Sequence, residues 1–454
     1  MFEEATPDKA KRLEELLEQG RLDDAGAMLA TAHPSDAAFL ITELPSRLRA
    51  SALLLVDKSK AAEIVEELPD DVREAAIGAL SPEDAAAILG EMYTDEEVDV
   101  LQGLKPEKAE AILEKLREKE AAEMRELMVY PEDTVGGLMQ KEYIAIPSTF
   151  TAAETVRYLR ANANIFLDFP ASYLYAVNEE GKFLGVVTLR SLLLCEGNTP
   201  IEKIMEKEPV YLLASDPAEE AVKAFDKYHY IALPVVDEEH KLIGVVLQED
   251  AFEYAQKEGE EEMMRASGIL GGEEVREMPL LVRVVNRLFW LGAKVLLNLV
   301  PASVVAAHEH TLRDLPLLAI LLPITSDLGG GAGSQSTAVT IRELARERLQ
   351  PKEYFEVFLK ELPLGFLNGV ILGTMTGVVM GLWKNNLSFG VLAAFAISLN
   401  TLLAAILGGT LPLFLKRIQA DPATAAMPLL TTITDTIGFW LVLGFAVPVM
   451  RLIG

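Results

Sequence analysis

Long apolar runs separated by short polar loops fill the last third of the chain. Each run is long enough for an α-helix to cross a bilayer, which takes about 20 mostly apolar residues. The pattern predicts five membrane-spanning helices, at residues 287–307, 314–341, 355–383, 388–415 and 425–451.

Two of the five predicted spans carry polar residues in their middle. The second, within residues 315–341, holds Asp327, four glycines and the polar string SQST at 334–337. The fifth holds Asp435 within PLLTTITDTIG. A lipid-facing carboxylate costs about 3 kcal/mol or more, so such groups normally face a pore or another protein surface. The two helices therefore indicate a cation path; the alternative is tight packing in which the threonine hydroxyls bond their own helix.

The first part of the chain has a helical period. Between about residues 8 and 128, apolar residues recur at every third or fourth position, and a short unit recurs roughly every 12 residues, as in SPEDAAAILGEM and KPEKAEAILEKL. Several units open with Ser, Asp or Thr followed by Pro or acids, which is a helix-start signal. Short helices that cannot bury a face alone stack on their neighbours. The pattern predicts a small helical solenoid for interaction or sensing.

Strand and helix patterns alternate twice from about residue 130. YIAIPSTFTAAETVRYLR and SYLYAVNEEGKFLGVVTLRSLL form the first copy. PVYLLASDPAEEAVKAFDKY and YIALPVVDEEHKLIGVVLQEDAF form the second. Each copy predicts a strand, an amphipathic helix, two strands joined by a turn, and a helix.

Charge is distributed very unevenly along the 454 residues, whose net charge is −28. From residue 284 onward about 12 basic and 10 acidic residues nearly cancel, so the preceding part carries about −30. This acidity argues against nucleic acid and favours cations as partners, although an acidic solvated surface has the same composition. The sole cysteine, Cys195, supports neither a disulfide framework nor a thiolate metal site.

The chain ends and loops suggest an orientation. MFEEATPDKAKRLEELLEQG lacks the basic-then-apolar form of a signal peptide, so we expect the acidic part in the cytosol. The loops after the second and fourth spans are the richest in Lys and Arg, which is typical of the cytosolic side. The odd number of spans then puts the C-terminus outside a multi-pass cell-membrane protein.

The segment 251–283 is crowded with acids, including Glu253, Glu258 and 260–262. Like charges one helical turn apart destabilise a helix unless something neutralises them. The sequence is compatible with two interpretations of this segment: a solvated helix, or a connector that responds to cations.

The second mixed copy, with LPVVDEEHKLIGVV followed by Glu249 and Asp250, resembles a CBS domain, and the two copies together resemble a CBS pair. Such pairs bind adenosine nucleotides or act as regulatory hinges. The usual ribose-binding Thr-x-x-Asp is interrupted in both copies, which have Thr188 with Ser191 and Leu247 with Asp250. The resemblance therefore makes adenosine nucleotide binding doubtful.

The order of parts resembles the MgtE family of magnesium channels and transporters over essentially the whole chain. The most specific motifs are P-x5-GG-x2-G-x-QS at 323–336, FLKELPLG at 358–365 and PLLTTITDTIG at 428–438, behind YPEDTVGGLM at 130–139. The implied fold is multidomain. It comprises an all-α superhelical N-domain at 1–129, α/β CBS domains at 130–197 and 198–256, a connecting helix at 257–283 and an all-α five-helix transmembrane pore domain at 284–454.

The resemblance implies a homodimer that imports Mg²⁺ through a pore between the second and fifth spans. Asp435 from each subunit matches the pore carboxylate, Thr431 is placed to contact the waters of the ion, and Glu361 matches a polar position near the inner pore. The family usually has GGN at the glycine turn, where this chain has Gly331 and an added Asp327. Because an amide near the ion is replaced, Co²⁺, Mn²⁺ or another divalent cation stays possible.

The resemblance also implies regulatory Mg²⁺ among the cytosolic acids, whose binding closes the pore by screening carboxylates that otherwise push the domains apart. The matching carboxylates are Glu63, Asp95, Asp99, Glu219, Asp250, Glu253, Glu258, Glu261 and Glu262. Two acidic positions of the family pattern are Pro217 and His229 here, so some sites are expected to be weak.

Two other functions stay open at the level of sequence. A coupled exchanger would use Asp327 or Glu361 to bind protons. A membrane sensor that does not transport would report through its CBS pair, but a mere anchor has no need of Asp435 and its threonines. An enzyme is not expected, because the glycine run lacks the Lys-Ser/Thr of a P-loop and no nucleophile–base set stands out.

Overall fold

The protein is described here from a computed structural model, which covers residues 6–167, 169, 173–269, 274, 278–345 and 348–453. The chain divides into two compact units, Met1–Gln256 and Lys257–Gly454. Each unit is described by itself.

Ten short helices open the first unit. They are α1 (Pro7–Glu18), α2 (Leu22–Thr31), α3 (Pro34–Thr42), α4 (Ser46–Leu53), α5 (Lys58–Glu66), α6 (Asp70–Ala79), α7 (Pro82–Leu89), α8 (Thr94–Gly103), α9 (Pro106–Leu113) and α10 (Glu118–Leu127). From α3 to α10 each helix packs on the helix two places further along the chain, as in the predicted solenoid. One of the predicted start signals caps its helix through a side chain: the Ser81 hydroxyl accepts from the Asp84 N–H at 3.1 Å, and Pro82 opens α7.

Two small sheets and their helices complete the first unit; in the described residues the first sheet has four strands and the second has three. The first contains β1 (Ala145–Pro147), α11 (Ala152–Ala161), α12 (Ala163–Phe166), β2 (Tyr173–Val177), β3 (Phe183–Thr188), α13 (Leu189–Leu194), α14 (Ile201–Ile204) and β4 (Glu206–Lys207). The second contains β5 (Leu212–Leu213), α15 (Ala218–Tyr228), β6 (Ala232–Val236), β7 (Leu242–Leu247) and the start of α16 (Gln248–Ala266).

The strand pairing repeats between the copies. β1 is parallel to β2 and β5 to β6, whereas β2–β3 and β6–β7 are antiparallel hairpins. The two hairpin turns also bond each other, since the Phe183 N–H donates to the His240 carbonyl at 3.0 Å and the Leu242 N–H to the Gly181 carbonyl at 3.2 Å. The predicted internal repeat is therefore confirmed.

The second unit contains the long apolar helices. They are α17 (Leu280–Ala307), the short α18 (Glu309–Asp314), a 3₁₀ turn (Pro316–Ile320), α19 (Leu321–Ala345), α20 (Tyr354–Lys384), α21 (Leu387–Arg417) and α22 (Pro422–Ile453). Among the described residues, five helical segments are long and apolar enough to cross a membrane, and they coincide with the five predicted spans. α21 lies at the centre, packed on α19, α20 and α22, whereas α17 packs on α22.

The fold class predicted from the sequence is confirmed: a helical N-domain, two small mixed sheets and five long apolar helices. The domain limits stay predictions. The predicted connecting helix at 257–283 coincides in part with α16, and its residues 270–273 and 275–277 lie outside the described residues.

Candidate functional site

Asp435 lies on α22 where that helix packs against α19. Its side chain is buried in the bundle, with 9% of the residue exposed. The Ser326 hydroxyl of α19 donates to Asp435 Oδ1 at 2.7 Å. The structure therefore brings the second and fifth spans together at the predicted carboxylate, through a serine that the sequence analysis did not single out.

Asp327 follows Ser326 on α19 but does not face Asp435. It is exposed on the surface of the single chain, as is Gln335 two turns further along the same helix. One residue corresponds to about 100° of rotation about a helix axis, so neighbouring side chains point in different directions. Charge alone drew attention to Asp327, while Ser326 contacts Asp435.

The threonines of α22 bond their own helix. Thr431 Oγ1 donates to the Met427 carbonyl at 2.9 Å, and the hydroxyls of Thr432, Thr434 and Thr436 likewise donate to carbonyls three or four residues earlier. The hydroxyls thus bond their own helix, as in the alternative to a cation path that the sequence left open. A hydroxyl that donates to the backbone keeps its acceptor lone pairs, so Thr431 can still accept a hydrogen bond from water.

Glu361 of α20 lies half-buried against α19. Its Oε2 accepts a hydrogen bond from the Ser336 hydroxyl at 2.7 Å. A Cβ placed on Gly409 of α21 would lie 2.7 Å from the Glu361 side chain, so the glycine leaves room for this carboxylate. The second predicted polar position is thus held among three helices.

The glycine run of α19 is helical rather than a turn, which corrects the expectation from sequence. The residues that face α21 allow close packing: a Cβ on Gly408 would collide with the carbonyl of Gly333. Thr337 and Thr340 donate to the carbonyls of Gly408 and Gly409 at 3.1 and 3.0 Å. An unbroken helix satisfies its own backbone groups, which is the low-energy solution inside a bilayer.

A second buried polar group lies near Ser326. Asn400 of α21 is 1% exposed, and its Nδ2 donates to the Thr325 carbonyl at 3.0 Å. The sequence analysis did not select it, although an amide inside the apolar run AISLNTLLAA was a visible signal.

Carboxylates gather in the first unit where the start of α8 meets the start of α16. Burial raises the pKa of Asp95 well above its usual value, and the charge of Asp250 raises it further. Burial raises the pKa of Asp250 to about 7, with Glu249, Glu96 and Glu253 adding repulsion. Asp95 Oδ1 is buried and has no hydrogen-bond partner among the described residues. Three predicted regulatory residues, Asp95, Asp250 and Glu253, are therefore close neighbours, together with Glu96.

The loop before β1 adds another buried carboxyl to this cluster. Thr94 Oγ1, at the start of α8, donates to Glu142 Oε2 at 2.9 Å and accepts from the Lys141 N–H at 2.8 Å. Burial raises the pKa of Glu142, and it raises the pKa of Glu97 to about 8, where Glu120 and Glu142 add repulsion. Sequence reasoning missed Glu96, Glu97 and Glu142, since only the tertiary fold buries them.

The other predicted regulatory residues are described one by one. Glu63 is exposed and pairs with Lys60 at 3.0 Å. Arg265 pairs with Glu258 at 3.6 Å and with Glu261. The remaining residues are exposed: Asp99, Glu219 and Glu262. Within the described ranges, no three His, Cys, Asp or Glu side chains are arranged to hold a bare metal ion.

The residues that remain of the ribose-binding Thr-x-x-Asp motif hydrogen-bond within their own copy of the CBS domain. Thr188 Oγ1 accepts from the Ser191 N–H at 3.0 Å, and the two hydroxyls lie 2.9 Å apart. In the second copy Asp250 Oδ2 accepts from the Leu247 N–H at 3.2 Å. Thr188 thus caps α13, and Asp250 bonds back from α16 to the last residue of β7.

Comparison with known proteins gives family matches along the chain. The profile of MgtE, a divalent cation transporter, matches residues 322–445. That of the MgtE intracellular N domain matches residues 32–133, and that of the CBS domain matches 135–196 and 201–257.

Individual relatives of the chain belong to the same family. The chain is 30% identical over 341 residues to the magnesium transporter MgtE of Thermus thermophilus, covering 73% of each chain. It is 27% identical over 332 residues to the magnesium transporter MgtE of Bacillus subtilis, again covering 73% of each. Among solved structures, the cytosolic domain of the Mg²⁺ channel MgtE in complex with ATP is 32% identical with a TM-score of 0.51, covering 54% of this chain and 99% of that one.

These matches span the helical domain, the CBS pair and the membrane helices in the order that the structure has them. They confirm the resemblance drawn from the motifs, and they identify a membrane transporter rather than an enzyme. The chain belongs to the MgtE family of magnesium transporters.

Proposed function

We propose that this chain forms a homodimeric channel that imports Mg²⁺ and closes when Mg²⁺ binds its acidic cytosolic part. The observation that carries the proposal is the Asp435 carboxylate, buried among apolar helices and held at one oxygen by Ser326. Ionisable groups inside a membrane normally mark an ion pathway. Relatives named as magnesium transporters share this architecture, which supports Mg²⁺ as the ion.

The pore is proposed to lie between α19 and α22 of the two subunits. Asp327, Gly331 and Gln335 are exposed on α19 of the single chain. In lipid, an exposed carboxylate would cost about 3 kcal/mol or more. A second copy or a water-filled pore on this face removes that cost, which supports a dimer with α19 near its axis.

Ion recognition is proposed to act through water. Mg²⁺ loses its waters reluctantly and prefers octahedral oxygen ligands, so a pair of Asp435 carboxylates can hold the hydrated ion without a full ligand cage. Thr431 would accept hydrogen bonds from these waters. Asp327 and Glu361 would attract the ion along the path. Gly331 lacks the amide usual in the family, so Co²⁺ and Mn²⁺ are competing ions to test.

Gating is proposed to depend on the carboxylates at the start of α8 and α16. Burial, together with repulsion inside the cluster, raises the pKa of Asp95, Glu96 and Asp250, and the charge of Glu253 adds to the repulsion on Glu96 and Asp250. Hydrated Mg²⁺ between them would neutralise the repulsion without three direct ligands, which agrees with the ligand geometry of the described residues. The weaker predicted sites would add to the switch: Glu63, Asp99, Glu219, Glu258, Glu261 and Glu262. Each site contributes only its preference for the closed form, so several must act together.

The acidic part is proposed to lie in the cytosol and the C-terminus outside the cell. A homologous cytosolic domain solved alone supports the first assignment. A cysteine added after residue 453, in a Cys195→Ser background, tests the second. Labelling of intact cells by an impermeant maleimide is expected, and labelling only after permeabilisation would reverse the orientation.

The experiment that tests the proposed function is divalent-cation uptake into proteoliposomes. Asp435→Asn keeps the shape of the side chain and removes its charge, while Asp314→Asn, on the exposed α18, is the matched control. We expect Mg²⁺ uptake by wild type and by Asp314→Asn, and little uptake by Asp435→Asn. Equal uptake by all three proteins would exclude Asp435 as the pore carboxylate. Absence of all uptake at low internal Mg²⁺ would favour the sensor function.

A further inference from the structure

Asp435 is oriented by one side-chain hydrogen bond. Ser326 Oγ donates to its Oδ1 at 2.7 Å across the contact between α19 and α22. In the part of the chain that the structure describes, no other side chain donates to this carboxylate. Oδ2 is therefore the oxygen left for an ion or for its water.

Asn400 holds the turn of α19 that carries Ser326. Its Nδ2 bonds the carbonyl of Thr325, the residue before Ser326, at 3.0 Å. Its Oδ1 is buried and accepts no hydrogen bond from the described residues. An unpartnered buried acceptor is costly, and a leucine would fill the same space without that cost. The donor function of the amide explains why an asparagine stands there.

Two glycines fit around this amide. A Cβ on Gly329 of α19 would collide with Asn400 Nδ2, and a Cβ on Gly438 of α22 would lie 2.9 Å from it. Gly438 follows Asp435 by about one helical turn. The amide thus lies between the helix that carries Ser326 and the helix that carries Asp435, and it sets the distance between these two helices.

We propose that Ser326 and Asn400 are positioning residues for Asp435: Ser326 orients the carboxylate, and Asn400 fixes the place of Ser326. This inference rests on the proposed function, in which Asp435 contacts the hydrated ion. Mg²⁺ demands near-ideal octahedral geometry, whereas Ca²⁺ accepts flexible geometry. A mobile carboxylate therefore loses more affinity for Mg²⁺ than for Ca²⁺.

The first test replaces the serine. Ser326→Ala removes the donor, Ser326→Thr keeps a hydroxyl, and Ser303→Ala removes a hydroxyl that bonds the Val300 carbonyl of its own helix, α17. Mg²⁺ and Ca²⁺ uptake by proteoliposomes is measured against ion concentration. Ser326→Ala is expected to raise the half-saturating Mg²⁺ concentration about tenfold, equivalent to about 1.4 kcal/mol, and to reduce the preference for Mg²⁺ over Ca²⁺. Ser326→Thr should restore both, and Ser303→Ala should change neither.

Unchanged affinity and preference in Ser326→Ala would overturn the inference. So would a Ser326→Thr protein as impaired as Ser326→Ala, because a mere packing defect is not rescued by the hydroxyl. Asp435→Asn separates this outcome from failure of the proposed function. If Asp435→Asn stops uptake while Ser326→Ala behaves as wild type, only the positioning role fails.

The second test addresses Asn400. Asn400→Leu removes the amide, and Gly438→Ala keeps it but pushes it aside, so the second variant serves if the first does not fold. Each is expected to shift Mg²⁺ affinity and ion preference in the same direction as Ser326→Ala. Combining either with Ser326→Ala should add little, because both act through one hydrogen bond. Fully additive shifts, or shifts in the maximal rate alone, would overturn the role of Asn400.

Discussion

Neutralising Asp250 should stabilise the cytosolic part at neutral pH in the absence of Mg²⁺. Burial, with repulsion from Glu249, Glu96 and Glu253, raises its pKa from 3.8 to about 7. The folded state therefore binds a proton more tightly than the unfolded state. The contribution of Asp250 to stability is highest below about pH 4, falls as the pH rises through about 7, and stays low above it. Asp250→Asn removes this loss and keeps an oxygen that can accept from the Leu247 N–H.

The magnitude follows from the same values. A difference between 3.8 and about 7 corresponds to at most about 4 kcal/mol once Asp250 is ionised. Solvent screening and relaxation around a partly exposed group reduce this to roughly 2 kcal/mol. We expect Asp250→Asn to raise the free energy of unfolding by that amount at about pH 8 and by less than about 1 kcal/mol at about pH 5.

The assay is urea unfolding of residues 1–256, followed by far-UV circular dichroism with and without Mg²⁺. These residues form one compact unit, and the homologous cytosolic domain was solved as a separate protein. Mg²⁺ should stabilise wild type more than Asp250→Asn, because the variant has lost a carboxylate that the ion neutralises. Glu107→Gln, at the exposed start of α9, is the control. A variant less stable than wild type at both pH values would refute the repulsion between these carboxylates.

Two further predictions concern packing and nucleotide. Gly408→Val should destabilise the bundle by about 2 kcal/mol or more, because its side chain meets the Gly333 carbonyl. Gly330→Ala, whose added methyl enters open space, is the control. Gel filtration in detergent measures the loss of folded protein, and a normal Gly408→Val profile would contradict the prediction. ATP should leave the melting temperature of the cytosolic part nearly unchanged, because Thr188 and Ser191 bond each other. Ser191→Asp should make the melting temperature rise with ATP. A clear rise with ATP in wild type would contradict the loss of the nucleotide site.

Local patterns predicted most of the fold. The recurring helix starts, such as Ser81 before Pro82, and the short apolar strands joined by a turn depend on neighbours in sequence. The five spans follow from length and hydropathy alone. In each case the determining forces act within about one helical turn or one hairpin.

Sequence could not select the partners in the candidate site. Ser326 and Asp435 are 109 positions apart, and Thr94 and Glu142 are 48 apart. Which of Ser326 and Asp327 faces α22 depends on the rotation of α19, which packing sets. The family motifs led to Asp435 and Asp250, but their contacts became visible only in the fold.

The expectation of a glycine turn was wrong for a related reason. Glycines weaken a helix in water, but in a bilayer an unpaired backbone group costs several kcal/mol, roughly more than the helix penalty of glycine. Gly333 therefore stays helical and gives α21 close approach. The sequence showed small residues, and only the packing showed what they contact.

Mg²⁺ flux driven by membrane potential alone tests the central claim most directly. Proteoliposomes holding little internal Mg²⁺ and no H⁺ or Na⁺ gradient would receive an inside-negative potential, and Mg²⁺ entry would be measured for wild type, Asp435→Asn and Asp314→Asn. The account predicts entry that follows the potential in wild type and Asp314→Asn, and almost none in Asp435→Asn. Wild-type entry that requires a H⁺ or Na⁺ gradient, or undiminished entry in Asp435→Asn, would contradict it.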